Sequence, residues 1–225
     1  MTMSLSLFLQ AIAKFFCGVV IIGLLIFWPA GTLAFFNGWL LMGILFIPMF
    51  LAGIVMMVKN PSLLQKRLQA KEKQKEQDLV VKLSALMFLI GFVMAGLGYR
   101  FHWYSLPRPV VIVAAVVFLI AYGLYAEVLR ENTFLSRTIE VQEHQTVVST
   151  GLYGIVRHPM YSITILLFLS MPIVLGSVYS LLIFLVYPFI IAKRIQFEEQ
   201  LLAEELDGYR AYQQKVRWRL IPFVW

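Results

Sequence analysis

The chain contains four apolar blocks, each long enough to cross a lipid bilayer. They cover residues 11–28, 38–58, 79–99 and 110–126. A helix of about 20 apolar residues spans roughly 30 Å of hydrocarbon. Backbone N–H and C=O groups in lipid must find their partners within the segment, so such blocks fold as helices. The sequence therefore predicts an all-α integral membrane protein.

A fifth apolar stretch, residues 160–192, differs from the other four because Pro172 and Gly176 lie near its middle. It is too long for one upright helix and short for two full spans. We interpret it as a hairpin of two short helices that turns at residues 171–177. The predicted fold is thus a multi-span helical bundle of about six helices.

Composition excludes several other classes of protein. Hydrophobic residues make up 60% of the chain and charged residues 14%, far from the balance of a soluble domain. A single cysteine, Cys17, and three histidines distant in sequence predict neither a disulfide scaffold nor a metal site. The net charge of +7 does not indicate a nucleic-acid partner, because the basic residues flank the apolar blocks.

The distribution of Lys and Arg predicts the topology. Counted along the predicted spans, 17 of the 19 fall on one side, and only Arg100 and Arg108 fall on the other. Basic residues accumulate on the cytoplasmic side, so we expect cytoplasmic termini and a basic cytoplasmic loop at 59–82. We expect that loop to be a solvated connector near lipid headgroups, without a catalytic role. The membrane would be the inner membrane in a bacterium or the endoplasmic reticulum in a eukaryote.

Polar residues concentrate in two segments on either side of the hairpin, 127–161 and 193–225. A hairpin brings its two ends together, so these segments should form one site. We therefore expect an N-terminal transmembrane unit at 1–126 and a catalytic region at 127–225, which includes the hairpin 160–192. The residues expected to approach one another are Arg157, His158, Tyr161, Arg194, Glu198 and Glu199.

Two readings of these residues remain open from the pattern alone. Pro159 suits the first turn of a helix, which would place Arg157 and His158 beside free N–H groups that attract an anion. Equally, Arg157 and His158 could be an interfacial anchor and an ordinary loop histidine. Arg194 and Glu198 lie four apart, so they could form only a surface ion pair of about 0.3 to 0.5 kcal/mol.

The combined motifs resemble those of the isoprenylcysteine carboxyl methyltransferases, and the related phospholipid N-methyltransferases share a looser version. The resemblance covers residues 125–225. It rests on a Gly-x-Tyr-x-x-x-Arg-His-Pro-x-Tyr stretch, an apolar hairpin, an Arg-x-x-x-Glu-Glu run and a Gly-Tyr-x-x-Tyr run. These motifs comprise Gly151, Tyr153, Arg157, His158, Pro159, Tyr161, Arg194, Glu198, Glu199, Gly208, Tyr209 and Tyr212.

The resemblance implies S-adenosyl-L-methionine as cofactor, bound at the cytoplasmic face between the hairpin and the C-terminal segment. It also implies a lipid-like or prenylated methyl acceptor that enters from the bilayer. Arg194, Arg157 and Glu198 would be catalytic, with Arg194 facing the reactive group of the acceptor. The implied cofactor-binding residues are Gln145, Thr146, Val147, Val148, Tyr153, His158, Pro159, Met160, Tyr161, Glu198 and Glu199.

Three functions follow as alternatives. The first is O-methylation of a carboxylate on a lipid-like or isoprenylcysteine-type substrate. The second is methylation of a phospholipid, or of a small lipophilic amine or thiol, in which Arg194 would bind a phosphate or nothing. The third is a non-catalytic membrane protein such as a transporter, which should show intramembrane charges or paired broken helices in two related halves. The chain has only one hairpin of this kind, so the third ranks lowest.

Overall fold

The computed structural model describes residues 5–68, 75–135 and 141–225, and within these ranges the chain is helical, without a named strand. This confirms the predicted all-α fold. The helices are α1 (Leu5–Ala30), α2 (Phe36–Lys59), α3 (Pro61–Leu68), α4 (Lys75–Arg100), α5 (Arg108–Glu131), α6 (Pro159–Val174), α7 (Val178–Phe184), α8 (Tyr187–Glu205) and α9 (Tyr209–Lys215). A single 3₁₀ turn covers Gly151–Gly154.

Five segments among the described residues are long and apolar enough to cross a membrane. They are Leu5–Ala30, Phe36–Lys59, Asp78–Arg100, Arg108–Glu131 and Val178–Glu205, the last of which joins α7 to α8. The remaining apolar helix, α6, has 16 residues and is shorter than these segments. The chain is therefore a multi-span helical membrane protein, and the five segments together with α6 match the bundle of about six helices that the sequence predicts.

The hairpin turns between α6 and α7, inside the predicted range. Gly176 adopts a φ of +74°, which glycine tolerates without strain. A Cβ at this position would lie 2.9 Å from the Asn37 side-chain nitrogen and 3.0 Å from the Ser105 hydroxyl oxygen. The first arm is short, whereas the second continues through the charged residues after 192 and ends at Glu205. The second arm therefore carries Arg194, Glu198 and Glu199 beyond the apolar stretch.

Aromatic packing holds the hairpin against the rest of the bundle. Phe88 and Phe92 on α4 pack against Phe168 on α6 and Phe184 on α7, with ring centroids 4.8 to 5.8 Å apart. Phe92 and Phe184 are almost fully buried. Such aromatic pairs add about 0.5 to 1.5 kcal/mol each beyond the area they bury. These contacts therefore fix the positions of α6 and α7 relative to α4.

The up-and-down order of the helices brings the start of α1, α3, the start of α6, the end of α8 and α9 to one end of the bundle, here called the site end. Part of the predicted basic loop at 59–82 forms α3. Its residues 69–74 lie outside the described part of the chain, as does Arg137. Cytoplasmic placement of the site end stays a prediction.

Candidate functional site

The C-terminal segment fixes the start of α6. The backbone N–H of Arg157 donates to the Trp218 carbonyl at 2.9 Å, and that of His158 donates to the Arg219 carbonyl at 2.9 Å. Ser162 Oγ donates to the Leu220 carbonyl at 2.6 Å. Pro159 occupies the first turn of α6, as predicted. The backbone amides of Arg157 and His158 are thus bonded to the C-terminal segment, and attraction of an anion by the N–H groups at the start of α6 stays a prediction.

Glu199 is the centre of a buried charge cluster. One of its carboxylate oxygens, Oε1, lies 2.6 Å from Arg157 Nε and 3.1 Å from His158 Nε2. Its other oxygen, Oε2, accepts from Arg219 Nε at 2.8 Å. The side chains of Glu199, Arg157 and His158 are 5%, 7% and 4% exposed. Because both oxygens are engaged, Glu199 joins α8, the start of α6 and the C-terminal segment.

A second chain of hydrogen bonds runs beside this cluster. Arg194 Nε donates to the Tyr161 hydroxyl at 2.9 Å, and that hydroxyl donates to Glu198 Oε2 at 2.5 Å. His158 Nδ1 lies 4.0 Å from Glu198 Oε1. Arg194 is only 8% exposed, so the interpretation of Arg194 and Glu198 as a mere surface ion pair is wrong. Tyr161 instead connects α6 to two turns of α8.

The two ends of the hairpin therefore meet, as the sequence predicts. All six residues expected to approach one another take part in the two hydrogen-bonded groups just described. Burial of so many charges requires paired and hydrogen-bonded partners, which these groups supply for one another. The arrangement is a rigid polar wall at the site end.

A pocket opens on this wall, here called the loop pocket. It encloses about 820 Å³, including the part open to solvent. Its lining residues are Asn132, Phe134, Leu135, Gln145, Thr146, Val147, Val148, Tyr153, Arg157, His158, Met160, Tyr161, Arg194, Glu198, Leu202, Leu206, Tyr209 and Tyr212. Among the described residues, no group of three or more His, Cys, Asp or Glu side chains is placed to hold a metal ion.

Nine of the eleven residues expected to bind cofactor line the loop pocket, together with Arg157 and Arg194. The two that do not are Pro159 and Glu199. Pro159 is buried in the first turn of α6, and Glu199 is enclosed by Arg157, His158 and Arg219. Glu198, in contrast, has a side chain that is 22% exposed and lines the pocket. The adjacent glutamates thus have different surroundings.

Helix α9 closes the far side of the loop pocket. Gly208, with a φ of +82°, lets the chain turn from α8 into α9, so Tyr209 and Tyr212 return to the pocket. Tyr212 donates its hydroxyl to the Tyr153 carbonyl at 2.7 Å. The buried Tyr209 hydroxyl has no hydrogen-bond partner among the described residues. Burial raises the pKa of Tyr209, so its hydroxyl stays protonated and can donate a hydrogen bond to a ligand.

Sequence reasoning left several lining residues unassigned. Among them, Tyr209 and Tyr212 belong to the Gly-Tyr-x-x-Tyr run, and this motif is the only local feature that could indicate a role for them at the site. Nothing in the local sequence marks the others, because they reach the pocket only through tertiary packing. They are Asn132, Phe134, Leu135, Leu202 and Leu206.

A second, larger space lies between the helices and is here called the helix groove. It encloses about 1180 Å³, including the part open to the surroundings. Its lining residues are Arg67, Val80, Val81, Ser84, Ala85, Phe88, Tyr125, Met160, Tyr161, Thr164, Phe168, Tyr187, Ile191 and Arg194. Three of them, Met160, Tyr161 and Arg194, also line the loop pocket. The two spaces therefore share one wall.

Comparison with known proteins places this site within a family region. Residues 109–207 match the family model described as phospholipid methyltransferase. This family includes the isoprenylcysteine carboxyl methyltransferases. The matched range runs from the start of α5 to just beyond α8, so it contains both hydrogen-bonded groups except for Arg219. The search of curated proteins gave no match to the chain.

Proposed function

We propose that the chain is an integral membrane methyltransferase, because residues 109–207 match the phospholipid methyltransferase family model and five described segments are long and apolar enough to cross a membrane. It would transfer the methyl group of S-adenosyl-L-methionine to the carboxylate of a lipid-like acceptor. The observation that carries the proposal is the wall shared by the loop pocket and the helix groove. The loop pocket combines loop residues with polar side chains of α6, α8 and α9, whereas most of the residues that line the helix groove are apolar side chains of helices. Cofactor and acceptor would meet across Met160, Tyr161 and Arg194.

The loop pocket suits a charged, nucleoside-bearing cofactor. When bound, S-adenosyl-L-methionine supplies a methyl group whose bond to sulfur breaks as the bond to the acceptor oxygen forms, and the sulfur keeps the electron pair. The Glu198 carboxylate would accept from the cofactor ammonium or ribose. Tyr209 would donate its unpartnered hydroxyl. Val147 and Leu202 offer apolar surface for the base.

Pro159 and Glu199 would support this site without touching the cofactor. Glu199 holds Arg157 and His158 in place through hydrogen bonds of 2.6 and 3.1 Å. Pro159 fixes the entry of the chain into α6. We therefore propose that the binding surface is formed by the other nine assigned residues, with Arg157 lining it.

The helix groove suits an apolar acceptor with an acidic end. Phe88, Phe168 and Ile191 provide apolar contacts for a lipid tail. Arg194 lies at the shared wall, where its planar guanidinium can orient a carboxylate. A carboxylate is already ionised at neutral pH and needs no general base. A low dielectric around the reacting charges and exclusion of water would then favour transfer.

Methylation of a phospholipid amine is the second candidate, favoured by the description of the matched family. An amine must lose a proton before it can attack, so this reaction needs a proton acceptor at the shared wall. Glu198, which lines the loop pocket and accepts from the Tyr161 hydroxyl, would be that acceptor. Arg194 would then hold the phosphate of the lipid.

The test is methyl transfer by the purified protein in lipid nanodiscs. The acceptors are a farnesylated thioether acid and phosphatidylethanolamine. We expect transfer to the acid and a fall in turnover of tenfold or more for Arg194→Lys, because lysine loses the planar two-point geometry. Binding of S-adenosylhomocysteine should change little.

The matched control is Lys193→Arg, which alters the exposed neighbouring position on α8. Its turnover should equal that of the wild type. Transfer confined to phosphatidylethanolamine would place the second candidate first. Full turnover of the acid by Arg194→Lys would contradict the role given to Arg194.

A further inference from the structure

Arg219 lies outside the matched family region, yet it is connected to His158 by two routes. Its carbonyl accepts from the backbone N–H of His158 at 2.9 Å. Its side-chain Nε donates to Glu199 Oε2 at 2.8 Å, and Glu199 Oε1 lies 3.1 Å from His158 Nε2. Arg219 therefore holds the backbone of His158 directly and its ring through Glu199.

Packing keeps the Arg219 side chain in place. Its guanidinium carbon lies 5.1 Å from the centroid of the Trp225 ring, and its backbone N–H donates to the Trp225 carbonyl at 2.9 Å. Trp225 in turn packs against the hydrophobic core. A planar guanidinium on an aromatic face is pre-organised for a hydrogen bond to a carboxylate. Because the Arg219 side chain is 33% exposed, solvent screens its pair with Glu199, which adds little to stability.

The Glu199 carboxylate determines which nitrogen of the His158 ring carries the proton. Arg157 Nε and Arg219 Nε donate to its Oε1 and Oε2 at 2.6 and 2.8 Å. A carboxylate that binds two guanidinium groups is ionised and can only accept. His158 Nε2, at 3.1 Å from Oε1, is therefore the donor in its pair with Glu199. In the neutral ring, Nδ1 is then a hydrogen-bond acceptor.

That acceptor lies beside a second one. His158 Nδ1 is 4.0 Å from Glu198 Oε1, and both residues line the loop pocket. Two acceptors at this separation do not bond to each other, but one donor group can reach both at about 2.8 Å. An ammonium group, which has three N–H donors, fits this pair, whereas a carboxylate does not.

We propose that Arg219 is a positioning residue of the cofactor site, which acts through Glu199 to keep His158 Nδ1 available as an acceptor for the ammonium group of the cofactor. The inference rests on the proposed function, because it assigns that group a place in the loop pocket. Without the Arg219 side chain, the Arg157 guanidinium can take both oxygens of Glu199 in a two-point contact. His158 Nε2 is then released, and its ring no longer has one fixed tautomer.

The first measurement is isotope-edited NMR of the histidine ring nitrogens in the ligand-free full chain, at a slightly alkaline pH. His102 and His144 are exposed and serve as internal references. We expect His158 in the wild type to be one tautomer, protonated at Nε2. Arg219→Met keeps an unbranched side chain but removes the donors, so it should give a mixture of both tautomers. Arg219→Lys should keep the wild-type tautomer, because its ammonium can donate to Glu199 Oε2.

The second measurement is calorimetric binding of S-adenosylhomocysteine and of its analogue without the amino group. Arg219→Met should weaken binding of S-adenosylhomocysteine roughly tenfold, because the ammonium loses an acceptor. The analogue should bind the variant and the wild type equally. Arg219→Lys should stay within about threefold of the wild type. The matched control is Lys215→Met, since Lys215 is an exposed cation that does not line the loop pocket, and its affinity should equal that of the wild type.

Equal losses for S-adenosylhomocysteine and its analogue would assign Arg219 a packing role and overturn the proposal. Unchanged affinity in Arg219→Met would also overturn it, as would a wild-type His158 ring protonated at Nδ1 or at both nitrogens. No affinity of the wild type for S-adenosylhomocysteine would overturn both this inference and the proposed cofactor. A loss confined to S-adenosylhomocysteine, in a protein that transfers no methyl group to the farnesylated acid, would instead refute the proposed acceptor and leave the inference on Arg219 supported.

Discussion

Removal of the charge on Glu199 should destabilise the protein more than any other single change of a carboxylate at the site end. In Glu199→Gln, the buried Arg157, which lies 2.6 Å from the carboxylate, loses its counter-charge, and one of the two acceptor oxygens is replaced by an NH₂ group that cannot accept. Breaking a buried ion pair by changing one partner costs about 3 to 5 kcal/mol. Arg219, whose side chain is 33% exposed, adds less, because solvent screens that pair.

The lower end of that range is the better expectation. Arg157 Nη1 also donates to the carbonyls of Val216 at 2.7 Å and Arg217 at 2.9 Å, so part of its charge remains solvated by the protein. We therefore expect a loss of about 3 kcal/mol. For a chain of this length, that lowers the melting temperature by roughly 6 to 12 °C.

The assay is thermal unfolding of the purified protein in detergent, followed by tryptophan fluorescence. Glu204→Gln is the matched control, since Glu204 lies on the same helix and is exposed. Its melting temperature should stay within about 1 °C of the wild type, because surface charges contribute little. A shift of 2 °C or less for Glu199→Gln would refute the conclusion that Glu199 organises the site.

Four further changes test other parts of the site and fold. Glu198→Gln should weaken S-adenosylhomocysteine binding about tenfold by calorimetry, with little change in melting temperature, because Glu198 lines the loop pocket. Tyr209→Phe should leave the stability of the ligand-free protein unchanged but weaken binding several-fold, whereas Tyr212→Phe should cost about 0.5 to 1.5 kcal/mol in stability, since Tyr212 donates to the Tyr153 carbonyl. Gly176→Ala should lower stability by about 1 to 3 kcal/mol in thermal unfolding, because alanine is strained at a φ of +74°. An affinity of Glu198→Gln for S-adenosylhomocysteine equal to that of the wild type would contradict the contact of Glu198 with the cofactor. A melting temperature equal to that of the wild type in Tyr212→Phe or Gly176→Ala would contradict the structural role given to that residue.

Local signals in the sequence were sufficient for the bundle and for the hairpin. Apolar length predicts the spans directly, because lipid requires internal satisfaction of the backbone. Pro159 and Gly176 mark the two ends of α6 through their own conformational preferences. A hairpin brings its two ends together, and in the structure Arg194 Nε donates to the Tyr161 hydroxyl at 2.9 Å.

What the sequence left open depends on contacts between distant segments. Glu198 and Glu199 look equivalent in the chain. Only the tertiary structure separates a pocket-lining carboxylate from one that is enclosed by two arginines and a histidine. Arg67 belongs to a charge run that reads as a solvated face. Its place in the groove follows from the packing of α3, which no local pattern encodes.

The most direct test of the account is an experimental structure of the protein with S-adenosylhomocysteine. The account predicts density for the ligand in the loop pocket, with polar contacts to Glu198 and Tyr209 and with its sulfur facing the wall of Met160, Tyr161 and Arg194. Density elsewhere on the protein, or a sulfur directed away from that wall, would contradict the central claim that methyl transfer takes place between the loop pocket and the helix groove.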